Sequence, residues 1–248
     1  MNRINDIFNI IQSANRTVAL TGAGVSTLSG LPDFRSKKGL WKQYDQNRVF
    51  SLDYFKTDPE YFFNFARQYI FPFLDAEPSI IHHLLAQLEQ KKMLRRVITQ
   101  NIDMLHTKAG NKGVLELHGS PERNFCVTCG KEFSFGQIIA KIESEKFPLC
   151  DSCGGVLKPD IIFFGEMLHA DVLDTAFHEA RQADCCLVMG TSLVVSPAAS
   201  IPEIAAHYGA KVIIVNREAT PLDRLADIVI HTELDTFGST LMQLLNTR

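Results

Sequence analysis

Val18-Ala19-Leu20-Thr21-Gly22-Ala23-Gly24-Val25-Ser26 is the stretch that decides the fold. Its first four residues read as a strand buried on both faces. They run without a break into a Gly-x-Gly turn, the opening of a strand–helix unit in an α/β sheet. Glycines let the backbone approach a phosphate closely, and a following helix N-terminus adds N–H donors. A dinucleotide fits such a turn, and so does a merely tight turn. The third glycine of the usual fingerprint would fall on Thr27. No clear acidic residue on a second strand about twenty residues later offers itself to a ribose. An ordinary dehydrogenase therefore fits poorly.

Working outward, five more short apolar runs read as buried parallel strands: 96–100, 161–164, 185–189, 211–215 and 228–230. Helical patterns alternate with them. Pro78-Ser79 opens one helix, in which Ile80, Ile81, Leu84, Leu85 and Leu88 recur at helical spacing. Others fit 172–182 and 197–207, the latter with Pro197 in its first turn. The alternation predicts an α/β sheet with helices on both faces. Two segments interrupt it. Residues 38–77 hold twelve of the chain's 23 aromatics, either a helical module packed by its own rings or a slot for an apolar ligand. Residues 121–158 hold four of the six cysteines.

Composition narrows the class. The chain has 248 residues, 46% hydrophobic and 21% charged, which suits one large domain with an insert and excludes wholesale disorder. A net charge of -3 lacks the basic surplus of a DNA-coating protein or a polybasic membrane patch. No apolar run approaches the roughly 18 residues that span a bilayer. The first fifteen residues carry a helix stripe of Ile4, Ile7, Phe8 and Ile11, not a signal-peptide core. A cytoplasmic location is expected.

Several residues carry chemistry. Phe34 and Arg35 follow the glycine turn, where an aromatic could cover a flat ring and a guanidinium could neutralise a diphosphate. A surface loop with a core Phe and a solvated Arg is the alternative. Strand 96–100 ends in Gln100, Asn101 and Asp103, suited to hydroxyls or a carboxamide at a strand's C-terminal end. Asp103 also suits a capped turn opening a short helix. His118 lies after this polar end and just before the cysteine insert, and histidine suits general-base work near neutral pH. Cys126-x-x-Cys129 and Cys150-x-x-Cys153 have the spacing of one structural zinc site. Two redox dithiols are the alternative. Cys185 and Cys186 sit in an apolar run as small hydrophobes.

Together these pieces resemble the sirtuins, the NAD-dependent protein-lysine deacylases. The matching stretches are GAGVSTLSGLPDFRS (22–36), TQNIDMLHTKAG (99–110), ELHGS (116–120), the four cysteines, KPDIIFFGE (158–166), GTSLVVSPA (190–198) and VNRE (215–218). The form is similar to the short bacterial and archaeal members. The resemblance implies a Rossmann-like parallel sheet over 1–37, 78–120 and 159–248. An inserted small domain would join the helical module (38–77) to a zinc ribbon (121–158), with NAD and substrate entering the cleft between the domains. It implies that Gly22, Ala23, Gly24 and Thr27 cradle the diphosphate and that Phe34 and Arg35 lie on a cofactor loop. Gln100 would contact ribose, and Asn101, Ile102 and Asp103 would form the nicotinamide pocket. Gly190, Thr191, Ser192, Asn216, Arg217 and, less distinctively, Glu233 and Leu234 would surround the adenosine half. Ile162, Phe164, Gly165 and Glu166, with Leu193, Val194 and Val195, would clamp the substrate peptide by strand addition.

The implied reaction transfers the acyl group of an acylated lysine to ADP-ribose and releases nicotinamide, with His118 and Asn101 catalytic and His118 the base on a ribose hydroxyl. The implied partners are acetylated-lysine proteins or peptides, with no direct nucleic acid and no membrane. Sirtuins that prefer succinyl or malonyl lysine carry a Tyr-x-x-Arg pair; Phe63 and Ala66 align there, beside Arg67. An apolar pair cannot neutralise a buried carboxylate, so neutral acyl groups are expected, acetyl first. A NAD-consuming ADP-ribosyltransferase or NAD hydrolase on the same scaffold is the rival reading. A non-catalytic zinc-dependent binding module is a third, and it would not need Gln100, Asn101, Asp103 and His118 together.

Overall fold

A computed structural model describes residues 2–34 and 39–247. The strands, in chain order, are β1 (Thr17–Thr21), β2 (Arg96–Thr99), β3 (Val114–Glu116), β4 (Gly119–Cys126), β5 (Glu132–Ser134), β6 (Leu157–Ile161), β7 (Cys185–Met189), β8 (Lys211–Val215) and β9 (Ile228–Ile230). The helices are α1 (Asn2–Ser13), α2 (Gln46–Val49), α3 (Leu52–Thr57), α4 (Pro59–Tyr69), α5 (Ile80–Gln90), α6 (Leu105–Lys108), α7 (Phe135–Ile142), α8 (Ala170–Gln182), α9 (Ser200–His207) and α10 (Leu234–Thr247). The chain divides into two compact units: Met1–Leu31, Ala76–Leu117 and Ala170–Arg248 form one, Pro32–Asp75 and His118–His169 the other.

The first unit is built on a six-stranded sheet in the order β3-β2-β1-β7-β8-β9, parallel throughout. From β1 the chain winds outward to β2 and β3, returns to lay β7 on the other side of β1, then winds out to β8 and β9. The winding reverses between β1 and β7. Open α/β sheets bind ligands beyond the strand C-termini at such a reversal. Successive strand residues face opposite sides. Ala19, Leu187 and Ile213 share a core with Ile7 of α1, Leu84 of α5 and Phe237 of α10. The alternate residues Leu20, Cys186 and Ile214 are equally buried, and α9 packs on β7 and β8 with α8 against it.

The second unit holds the antiparallel sheet β5-β4-β6 and the short helices α2, α3, α4 and α7. Here the aromatic segment packs on itself. Phe55, Phe62 and Phe63 are fully buried, and Phe62 lies 5.1 Å from Phe63 and 5.0 Å from Phe163 between ring centres.

Three expectations are corrected. The run 161–164 is not a parallel strand of the large sheet: β6 ends at Ile161 and pairs antiparallel with β4 in the small one. A short apolar run does not encode its partner. The helix expected from Pro197 begins at Ser200, because Ser200 N–H closes a turn on the Pro197 carbonyl first. Residues 32–34, 118–120 and 159–169, expected in the large domain, fall in the unit that carries the cysteines. The β4–β6 pairing draws the last two of these segments there.

Candidate active site

The glycine turn follows β1 at the sheet's reversal point. Gly24 N–H donates to the Gly190 carbonyl at 2.8 Å, and Gly22 N–H to the Met189 carbonyl at 3.2 Å. A Cβ on Gly24 would lie 2.7 Å from the Gly190 Cα, so at this point the turn after β1 and the turn after β7 meet backbone to backbone. The turn's carbonyls are engaged by the turn itself and by Asn101 and Ser79. Gly22 O accepts from Val25 N–H and Asn101 Nδ2, Ala23 O from Ser26 N–H, Gly24 O from the Thr27 hydroxyl and Val25 O from the Ser79 hydroxyl. With their oxygens engaged, these residues present little negative charge to an approaching anion.

The end of β2 lies against this turn. Gln100 N–H donates to the Thr21 carbonyl at 3.0 Å, and Gln100 Nε2 to the Thr191 hydroxyl at 2.9 Å. Asn101 Nδ2 donates to Ser26 Oγ at 3.0 Å, and Ser26 Oγ donates to Asp103 Oδ2 at 2.6 Å. Asp103 Oδ1 accepts the Leu105 N–H, the first of α6, at 3.0 Å, while Met104 holds the N-cap position. Burial pushes the Asp103 carboxyl above the usual carboxylate range, against the pull of its hydrogen bonds from Ser26 and Leu105. Ile102 is half-buried between them.

Beyond β7, Thr191 is buried, Ser192 and Val194 are exposed, Val195 is half-buried, and Leu193 adopts φ 53° with its side chain inside. Asn216 Nδ2 donates to the Glu218 carbonyl at 2.7 Å, and Arg217 is exposed. Leu234 is buried in the main core, so its side chain serves packing. In the second unit the Phe34 ring joins the aromatic cluster, 4.9 Å from Trp41. Arg35 lies outside the described residues.

Sequence reasoning missed the tertiary partners of the residues behind this surface. Ser26 links Asn101 to Asp103. Ser79 caps α5 and holds Val25, and its N–H donates to His82 Nδ1 at 3.0 Å. His82 is fully buried, which pulls its pKa down to about 4. Its neighbour His106 lies with its ring centre 4.6 Å away and Nε2 2.9 Å from the Thr21 hydroxyl. Ser26 sits inside the quoted turn, but its distant partners leave no local pattern.

His118 heads β4 in the second unit, half-buried. Its carbonyl accepts the Ile162 N–H at 3.0 Å. Gly119 has φ +75°, and a Cβ there would overlap the Asp160 carbonyl oxygen. Only glycine lets β4 run this close to β6. The segment after β6 is pinned further. Phe164 N–H donates to the Phe50 carbonyl at 2.6 Å, and Leu52 N–H donates to the Phe164 carbonyl at 3.2 Å. Gly165 has φ +94° and Phe164 is 47% exposed.

The four paired cysteines converge, all four Sγ atoms lying within 4.8 Å of one another. Cys126 and Cys153 are 3.5 Å apart, and Cys129 and Cys150 are 3.8 Å apart. A tetrahedron of sulfurs about 2.3 Å from zinc has edges of about 3.8 Å. Both of these approaches cross between the two Cys-x-x-Cys pairs, which suits one shared ion rather than two dithiols. Gly130 N–H and Gly154 N–H close turns on the Cys126 and Cys150 carbonyls. The residues fit a structural zinc, and four thiolates leave no position for substrate. Cys185 and Cys186 are fully buried in β7.

Comparison with known proteins agrees with this arrangement. The Sir2 family model matches residues 22–197. A NAD-dependent protein deacetylase of Thermotoga maritima is 44% identical over 97% of this chain and 98% of its own length. One from Oceanobacillus iheyensis is 45% identical over 89% of this chain and 91% of its own. A solved Sir2 complex with deacetylated p53 peptide and 3'-O-acetyl ADP-ribose superposes with TM-score 0.94 at 44% identity, covering 97% of this chain and 98% of that one. A Sir2–p53 peptide–NAD+ complex gives 0.92 at 42%, covering 99% of both. With its glycine turn at the reversal of a parallel sheet, its polar strand end and its four-cysteine cluster, the chain belongs to the Sir2 family, the sirtuins.

Proposed function

We propose that this protein is a NAD-dependent protein-lysine deacetylase that takes acetyl groups from lysine side chains and yields nicotinamide and O-acetyl-ADP-ribose. The observation that carries the reading is the chain Asn101–Ser26–Asp103 laid against a glycine turn whose carbonyls are engaged. It offers a phosphate-tolerant backbone beside a carboxamide-binding group. NAD supplies an electrophilic ribose carbon with nicotinamide as its leaving group. Gly22, Ala23, Gly24 and Thr27 hold the diphosphate. Gln100 orients the ribose, and Asn101, Ile102 and Asp103 hold the carboxamide. Gly190, Thr191, Ser192, Asn216 and Arg217 take the adenosine half. The half-buried His118 imidazole accepts the ribose hydroxyl proton as the acyl group is transferred. Ile162, Phe164 and Gly165, with Leu193, Val194 and Val195, take the peptide by main-chain pairing. Cys126, Cys129, Cys150 and Cys153 hold one structural zinc.

Protein substrates and acetylated peptides are the partners in this reading, with no direct nucleic-acid or membrane contact. Among the described residues, no helix is long and apolar enough to cross a membrane. A thiolate cluster and two buried thiols suit a reducing compartment, so we place the enzyme in the cytoplasm.

Mass spectrometry of products from NAD plus an acetyl-lysine peptide tests the proposal. Nicotinamide, O-acetyl-ADP-ribose and free lysine should form in equal amounts. His118→Ala should lower turnover by about a thousandfold while NAD still binds. Free ADP-ribose, or ADP-ribose left on protein without deacetylation, would favour the hydrolase or transferase reading.

A further inference from the structure

Lys158 on β6 is a lysine with almost no solvent contact; its side chain is 2% exposed. Burial pulls its pKa below the usual lysine range, and Glu166 opposes the shift. A buried ammonium persists only where its N–H groups find acceptors. Here Nζ donates to the Ile161 carbonyl at 2.8 Å and the Pro159 carbonyl at 3.3 Å, and stands 2.8 Å from Glu166 Oε2. The Phe163 ring centre lies 4.2 Å from the same nitrogen.

Glu166 passes this anchorage on. Its Oε2 also accepts the Phe163 N–H at 2.7 Å, while its own N–H closes the turn on the Phe163 carbonyl at 3.0 Å. One carboxylate oxygen thus ties both ends of the 163–166 turn to the buried ammonium. Exposed Phe164 and left-handed Gly165 lie between those ends. The residue before the turn, Ile162, is the one whose N–H binds the His118 carbonyl. The pair therefore sits beneath a backbone segment that is hydrogen-bonded at Ile162 to the general base and continues into the substrate segment.

We infer that Lys158 and Glu166 are positioning residues for deacetylation, their ion pair holding the 162–165 backbone in the shape that receives the acyl-lysine peptide. Glu166 acts from beneath this backbone, through Phe163 N–H, rather than by touching the peptide. The inference rests on the reading of 162–165 as a peptide-binding segment. A peptide captured by main-chain hydrogen bonds is sensitive to small shifts of the receiving strand. Removing one partner of the pair leaves the other buried without its counter-charge.

Steady-state kinetics on the full chain, with NAD and an acetyl-lysine peptide each varied, tests this in wild type, Lys158→Met, Lys158→Arg and Glu166→Gln. Lys158→Met and Glu166→Gln should raise the peptide KM about tenfold or more, with the NAD KM changed less than about twofold. Lys158→Arg, which keeps charge and donors, should return the peptide KM to within about threefold of wild type. Glu166→Gln preserves size and shape, so it reports even if Lys158→Met does not fold. An unchanged peptide KM in Glu166→Gln, or an equal rise in both KM values, overturns the positioning role. A wild-type chain that turns over no acetyl peptide overturns the underlying reading instead.

Discussion

The Ser26 hydroxyl donates to Asp103 Oδ2 at 2.6 Å and receives the Asn101 amide at 3.0 Å. Ser26 belongs to the turn after β1, and the other two residues belong to the loop after β2. Side chains, not only the sheet ladder, therefore lock these two strand ends together. A buried carboxylate needs donors on its oxygens, and Ser26 and Leu105 supply them. Burial still outweighs those donors and raises the Asp103 pKa.

Asp103→Asn tests this lock. It should raise the NAD KM about tenfold or more, because a charge-assisted hydrogen bond contributes about 1.5–3 kcal/mol. The pH dependence has a definite sign. The folded chain holds the Asp103 proton more tightly than the unfolded chain does. The stability linked to it is fully present below the unfolded pKa and lost as pH rises through the raised folded one. Asp103→Asn has no such loss, so its melting temperature relative to wild type should climb as pH rises above about 4, the ordinary carboxylate range. Thermal melts that stay parallel across that range would contradict the assignment.

Gly119→Ala should separate β4 from β6. The added methyl meets the Asp160 carbonyl oxygen, and φ +75° is itself unfavourable for alanine. Urea unfolding should show a loss of about 3 kcal/mol or more. Turnover should fall further, because this approach carries the His118–Ile162 hydrogen bond. Gly136→Ala, in open space on α7, serves as control and should be neutral or stabilising by up to about 1 kcal/mol.

Metal removal should act on the second unit. A strong chelator should lower the melting temperature by roughly 10 °C and release one zinc per chain. Thiol titration should then count four reactive cysteines in the folded protein, those of the cluster. Cys185 and Cys186 should react only after denaturation: both are buried, and burial pushes the Cys185 thiol up to about 12. Six reactive thiols before denaturation would count against this packing.

Acyl selectivity should favour neutral groups. Phe63 and Ala66 are fully buried among aromatic rings. The adjacent cation, Arg67, is committed elsewhere: its Nη2 donates to the carbonyl of Ile142, the last residue of α7, at 3.1 Å and to that of Lys146 at 2.8 Å. A peptide panel should give kcat/KM for acetyl-lysine about a hundredfold above succinyl-lysine. Arg67→Met should leave that ratio unchanged while lowering the melting temperature. A ratio that collapses in Arg67→Met would show that the guanidinium reads the acyl group.

Much of the fold was legible locally. The spans of β7, β8 and β9 coincide with the runs read from sequence; for β7 and β8 this is because strands buried on both faces are continuous apolar segments with sharp ends. The stretch at 161–164 was misplaced because its composition suits either sheet, and only β4, about forty residues earlier, decides which. Leu234 illustrates the opposite limit. A motif match carries no side-chain direction, and this side chain lies in the core. Ser26 was overlooked because one serine in a glycine turn has no periodicity to betray its partners.

By itself the sequence determined what depends on neighbours along the chain: the strand-to-glycine opening, the two Cys-x-x-Cys pairs and the polar end of β2. Ligand spacing and strand period are local quantities, so they survive in the bare string of residues. Tertiary structure decided which distant backbones meet. It set Gly24 against Gly190, ran β4 against β6 at Gly119, occupied Arg67 beyond α7 and buried Lys158 beneath its own turn. Those contacts are fixed by close packing of segments far apart in sequence, where a single methyl group or an unpaired charge selects one arrangement.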